Sequence, residues 1–165
     1  MNDKCIQLNS EKVIKKRIPS IKWAFTEEQY EHSTQLTMIQ NISTNNIDSI
    51  SKTAVTEIHR KMSSYKQQDK LKKLFDESKF LTFDAIIHKM LECNLKCRYC
   101  EKEMFVLYDV SREGNQWSVD RIDNYTGHNI DNFHLACLTC NLKRRRRTDE
   151  KFLFTKQLKI VKLNN

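Results

Sequence analysis

Cys97-Arg-Tyr-Cys100 and Cys137-Leu-Thr-Cys140 decide the reading of this chain, together with the stretch Trp117-Ser-Val-Asp-Arg-Ile-Asp-Asn-Tyr-Thr-Gly-His-Asn-Ile-Asp-Asn-Phe-His-Leu-Ala that runs into the second pair. Two residues between cysteines let a tight turn aim both sulfurs at one point. Two such turns supply the four soft ligands of a closed tetrahedral shell, which makes the expected zinc site structural. A lone C-x2-C is shared with redox motifs, and a pair of them points to zinc. Buried reduced thiols are the competing interpretation, and the charged or polar neighbours of Cys100 and Cys137 speak against it. Cys93 is an alternative ligand whose spacing to Cys97 suits the turn less well, and Cys5 is isolated.

Outward from the cysteines, residues 104–110 predict a strand, SREGNQ at 111–116 a turn, and 117–122 a returning strand. Residues 123–132 follow as a loop, 133–136 as a short strand, and the chain turns helical from 138. Upstream, Ile47, Ile50, Val55, Ile58, Met62 and Tyr65 form a helical stripe that continues unevenly through Leu71, Leu74 and Phe75. Phe83, Ile86, Ile87, Met90 and Leu91 form a second, capped by Thr82 or Asp84. Residues 41–53 read as a loop or a weak helix start, and the tail from Phe152 to Leu163 is apolar enough to pack back. The expectation is an α+β chain: a mainly helical, polar region at 1–80, then a small zinc-stapled domain at 81–165.

Lys and Arg number 29 against 21 Asp and Glu, a net charge of +8 that favours polyanionic partners through counterion release. No apolar run is long enough for a membrane span. The N-terminal stretch lacks the apolar core of a secretory signal. An intracellular chain, in cytoplasm or nucleus, keeps its six cysteines reduced or on metal.

V-D-R-I-D-N at 119–124, Asn132 ahead of an apolar strand, and C-x2-C-N-x2-K/R at 137–144 resemble, in that order, the HNH endonucleases, also called ββα-metal or His-Me finger nucleases. The resemblance implies a nuclease module over 94–147 with structural zinc on Cys97, Cys100, Cys137 and Cys140. It also implies one catalytic Mg²⁺ or Mn²⁺ on Asp120 and Asn141, hard oxygen ligands suited to such an ion. Asn132 corresponds to the residue that braces the loop carrying the base. The family's usual base, a histidine, is replaced by Arg121, which cannot accept a proton but can clamp a phosphate or stabilise a transition state. A D-R-I-D-N variant recurs among phage and viral members. Water activation then falls to the metal or to Asp123, His128 or His134, with Asp123 and His128 ranked level and Tyr125 below them. His59 and His88 read as ordinary helix residues.

Lys143, Arg144, Arg145, Arg146 and Arg147 form an unbroken cationic run, expected on the helix that begins at Asn141 and in contact with phosphates. A nuclear localisation signal is compatible, and a solvated charge patch is the bland alternative. The functional expectation is a metal-dependent endonuclease acting on DNA, with RNA open as a substrate. Its rivals are a non-catalytic zinc module that binds nucleic acid or scaffolds a complex, and a ribonuclease or RNA-binding protein. Residues 1–80 stand as a DNA-targeting segment, a protein-binding helix or a spacer.

Overall fold

The computed structural model describes residues 25–158; Cys5, Pro19, Ile160, Val161 and Leu163 lie outside the described residues. After a 3-10 turn at Glu27–Tyr30 comes α1 (His32–Ser43), a helix that the apolar pattern did not single out. It buries Gln35, Met38, Ile39 and Ile42, one face at helical spacing. Helix α2 (Ser49–Leu71) starts where the Asp48 carboxylate accepts the Ser51 N–H at 2.7 Å, which makes 44–48 the turn between the two helices. The expected α2 stripe buries Ile58 and half-buries Val55, Met62 and Tyr65, whereas Ile47 precedes the helix and Leu71 ends it exposed. Helix α3 (Phe83–Glu92) is capped by Thr82, whose hydroxyl accepts the Ala85 N–H, and it buries Ile86, Ile87 and Met90.

Strands β1 (Trp117–Arg121) and β2 (Phe133–Cys137) pair antiparallel, with Val119 opposite Leu135 and Asp120 opposite His134. Helix α4 (Leu138–Arg144) leaves β2 without a loop, and α5 (Asp149–Gln157) follows. Among the described residues the chain is therefore α+β, with five α-helices and one two-stranded sheet. Helix α4 stops because Arg145 turns to φ 54°, ψ −117°.

The strand expected at 104–110 does not form. Met104, Val106 and Leu107 are buried, and that gave the segment its strand-like look. Its backbone, however, is engaged elsewhere: the Met104 N–H donates to the Leu95 carbonyl and the Phe105 N–H to the Asn115 carbonyl, and one carboxamide takes the next two residues. Gln35 Oε1 accepts the N–H groups of Val106 at 2.7 Å and Leu107 at 2.9 Å, and Nε2 donates to the Leu107 carbonyl at 2.9 Å. With those groups engaged, only an isolated parallel bridge joins Phe105 to Gln116, and β1 takes β2 as its ladder partner.

One cluster of buried side chains runs from Met38 through Ile58, Ile86, Met90, Tyr99 and Trp117 to Phe152. The cluster draws on residues from both sides of residue 80, Phe80 bridges to Asn129, and the Leu81 N–H donates to the His128 carbonyl at 3.0 Å. Among the described residues no helix is long and apolar enough to cross a membrane.

Replacing Gln35 by Ala strands two N–H groups and a carbonyl in this core. Each unpaired group costs about 1–3 kcal/mol, so Q35A is expected to lose about 3 kcal/mol in urea unfolding. A loss under about 1 kcal/mol would show that water reaches the segment and replaces the carboxamide.

Candidate functional site

Each cysteine pair sits on its own turn. The first is closed by the Glu101 N–H donating to the Cys97 carbonyl at 2.9 Å, with Glu101 at φ 58°, and the Arg98 N–H pins it to Leu135 of β2 at 3.1 Å. In the second, Cys137 ends β2, and its sulfur accepts the Cys140 N–H at the start of α4. The Sγ atoms of Cys97, Cys100, Cys137 and Cys140 all lie within 4.8 Å of one another and can hold a metal ion. Without a cation the four resist ionising together. The Cys137 thiol holds Cys97 well below the ordinary thiol range, while the bond to Cys97 pushes Cys137 up and burial pushes up Cys140. Cys93 stands outside the group, its thiol donating to the Met90 carbonyl at 3.6 Å.

A cleft of about 570 Å³ opens between α2 and the β1–α4 face, and its walls include Lys61, Lys72, Arg121, Arg145, His128 and Asn141. Asp120 is the single carboxylate on its lining. Lys61 donates to Gln116 at 3.1 Å and to the Trp117 carbonyl, and it faces the Trp117 ring. Asn141 donates through Nδ2 to Ser118 Oγ at 3.1 Å and to the Val119 carbonyl at 3.0 Å, which ties α4 to β1.

Asp120 and Asn141 thus share a cleft, but Asp120 does not offer its carboxylate there. Oδ1 accepts from the Arg144 guanidinium at 2.8 Å, and Oδ2 lies 2.5 Å from the Tyr99 hydroxyl. The same hydroxyl lies 2.7 Å from Asp149. Burial pushes the Asp120 carboxyl above its usual range, against the pull of Tyr99 and Arg144. A divalent ion on Asp120 would have to compete with a cation built into the protein. The pair in this arrangement does not fit the expected Mg²⁺ or Mn²⁺.

The cationic run is also divided. Arg144 is 0% exposed and donates to the Arg121 carbonyl at 2.5 Å and the Ile122 carbonyl at 2.7 Å, so it is not placed to meet a phosphate as expected. Lys143, Arg145, Arg146 and Arg147 remain exposed, with Arg147 packed over the Phe152 ring. Helix α4 carries only the first two residues of the run, not all five. A second groove, which shares Lys72, Arg121, Asn124 and Arg145 with the first, extends the basic surface past Arg146 and Arg147.

The candidates for the base lie in different places. Asp123 is exposed and accepts the Tyr125 N–H at 2.9 Å within its own loop. His134 Nε2 is 3.7 Å from Asp149, and burial lowers its pKa. Neither lines the cleft. His128 does, and its Nδ1 lies 2.8 Å from the carboxylate of Asp69, at the end of α2. Asn132 holds the intervening loop, donating to the carbonyls of Asp123 at 3.0 Å and Gly127 at 2.9 Å and accepting the Asp123 N–H at 2.8 Å. Arg121 reaches into the same loop, to the carbonyls of Asn124 and Thr126. Asp69 and Tyr99 escaped the sequence reading. Both look like surface residues by type, and only their distant partners bury them.

The Asp120–Arg144 contact separates two roles by stability. Removing one partner of a buried pair costs about 3–5 kcal/mol, so D120A is expected to unfold at markedly lower denaturant even without added Mg²⁺ or Mn²⁺. A metal ligand on a cleft wall would show little loss under those conditions. No protein-family model matches the chain, and neither a curated protein nor a solved structure matches it.

Proposed function

We propose that this chain is a zinc-stapled nuclease of the HNH, or ββα-metal, type that hydrolyses phosphodiester bonds in DNA. The observation that carries the proposal is the cleft: cations from α2, β1 and the end of α4 converge on a space whose one carboxylate is turned onto an internal arginine. Such a lining attracts a phosphodiester and offsets the charge that grows on its oxygens during attack. The consecutive elements β1, β2 and α4, which carry D-R-I-D-N and C-N-x2-K/R, support the family assignment.

The four thiols would hold zinc, which thiolates bind tetrahedrally, and the ion would fix the junction of β2 and α4. Lys72, Arg121 and Arg145 would hold the scissile phosphate. Lys143, Arg146 and Arg147 would grip flanking phosphates and set the position of the duplex without reading its sequence. Because Asp120 and Asn141 do not fit a divalent ion, no step is assigned to one, and the assay varies Mg²⁺ and Mn²⁺ openly. A non-catalytic nucleic-acid-binding module is the second possibility. It is favoured by Arg121, half-buried and tied to its own loop.

The purified chain is expected to carry about one zinc per molecule by elemental analysis, and a strong chelator should lower its melting temperature sharply. A metal content of zero in folded, reduced protein would rule the zinc out.

Supercoiled plasmid incubated with the zinc-loaded protein should become nicked or linear, with and without added Mg²⁺ or Mn²⁺ as separate arms. R145A should slow cleavage by about 10²-fold, the scale of losing one group aimed at the transition state. Absence of cleavage in every arm, with salt-sensitive DNA binding intact, would leave the binding module in its place. Cleavage of matched RNA alone would move the substrate from DNA to RNA.

A further inference from the structure

We propose that His128 is the proton acceptor of the cleft and that Asp69 is the residue that positions it, an inference that rests on the nuclease assignment above. Asp69 is 0% exposed, and both of its oxygens face the His128 residue: Oδ2 accepts the backbone N–H at 2.6 Å and Oδ1 lies 2.8 Å from Nδ1. A carboxylate accepting two hydrogen bonds places the ring proton on Nδ1 and leaves the lone pair on Nε2. Among the described residues no protein group bonds Nε2, and the residue lines the cleft.

The ring is fixed on its face as well as its edge. Tyr65 stacks on it at 4.6 Å and 22°, and the Tyr65 hydroxyl accepts the Val119 N–H at 3.1 Å. The loop can come this close only because residue 127 is glycine. A Cβ there would sit 2.5 Å from the Leu74 carbonyl oxygen and 3.0 Å from Asp69 Oδ2. A helix end, a strand and a loop, distant in sequence, therefore converge on one imidazole. The groups that face it are Asp69 and Tyr65 of α2, Lys72 just beyond it, and Arg121 of β1. Burial lowers the imidazole pKa, Asp69 opposes this, and Arg121 and Lys72 reinforce it, so the ring is neutral and basic at neutral pH.

In the reaction, the water oxygen bonds to phosphorus as a water proton passes to Nε2. The bond from phosphorus to the leaving sugar oxygen breaks, and that oxygen takes a proton from solvent. The imidazolium then returns its proton to solvent, and no electrons change hands. Arg121 cannot do this work, since a guanidinium stays protonated.

The test uses the full zinc-loaded chain on supercoiled plasmid. H128A should lose about 10²-fold or more in kcat with little change in DNA affinity, and added imidazole should restore part of the rate. The wild-type rate should rise with pH along an acid limb centred below the usual imidazole pKa of about 6.5, and that limb should vanish in H128A. D69N, which can donate to Nδ1 and shift the proton to Nε2, should lower kcat while KM holds. Nitrogen-15 spectra of the wild-type histidines give a readout free of activity: His128 should be protonated on Nδ1 alone at pH 7.5. Wild-type cleavage with an unchanged pH profile in folded H128A, or an Nε2-protonated ring, would overturn the assignment and leave the nuclease standing. Absence of wild-type cleavage would remove the nuclease assignment, and the role of His128 with it.

Discussion

Four sulfur atoms crowded within 4.8 Å of one another constrain the rest of the site. Thiols brought that close cannot all ionise without a cation among them, so a metal bound there would couple folding of this region to its capture. The consequences spread from the two turns. Pinning the first turn to β2 brings Tyr99, one of its two middle residues, against Asp120 and Asp149. Fixing Cys140 fixes the start of α4, which lays Asn141 along β1 and drives Arg144 beneath it. The β1–α4 wall of the cleft rests on those two placements, and α2 supplies the wall opposite.

Arg144 shows how tertiary structure divides a run of like charges. A buried guanidinium loses its hydration, and three acceptors from β1 and the loop after it replace that water: the Asp120 carboxylate and the carbonyls of Arg121 and Ile122. The acidic residue nearest the cleft is thereby neutralised from within. The lysines and arginines left on the cleft lining, Lys61, Lys72, Arg121 and Arg145, then face no free carboxylate there, and that suits a polyanion better than an even mixture of signs would.

The parts of the fold legible in the sequence were local ones. The cysteine turns, the Thr82 cap and the apolar cores of β1 and β2 are each specified within a few residues. Residues 104–110 mislead because an apolar run looks the same whether a neighbouring strand or a distant glutamine and loop carbonyls take up its backbone groups. Helix α1 is hard to see in the sequence because its buried face sets Gln35 beside Met38, Ile39 and Ile42. In the site, His128 could be named from its loop, but not ranked above Asp123. The difference lies in Asp69, an acid on a polar helix with nothing in its neighbourhood to mark it as buried. The Arg144 anchor was hidden in the same way, inside a run that reads as uniformly exposed.

Arg145 remains, with its backbone at φ 54°, ψ −117°, where a glycine rests easily and an L side chain does not. Strain of this kind costs on the order of 1–3 kcal/mol. Helices more often stop at a glycine, and one at this position would relax the chain while removing a guanidinium from the cleft wall. Heat tolerance and positive charge on the cleft wall therefore pull this one codon in opposite directions. A lineage adapting to high temperature would have to relocate that charge before it could relieve the backbone.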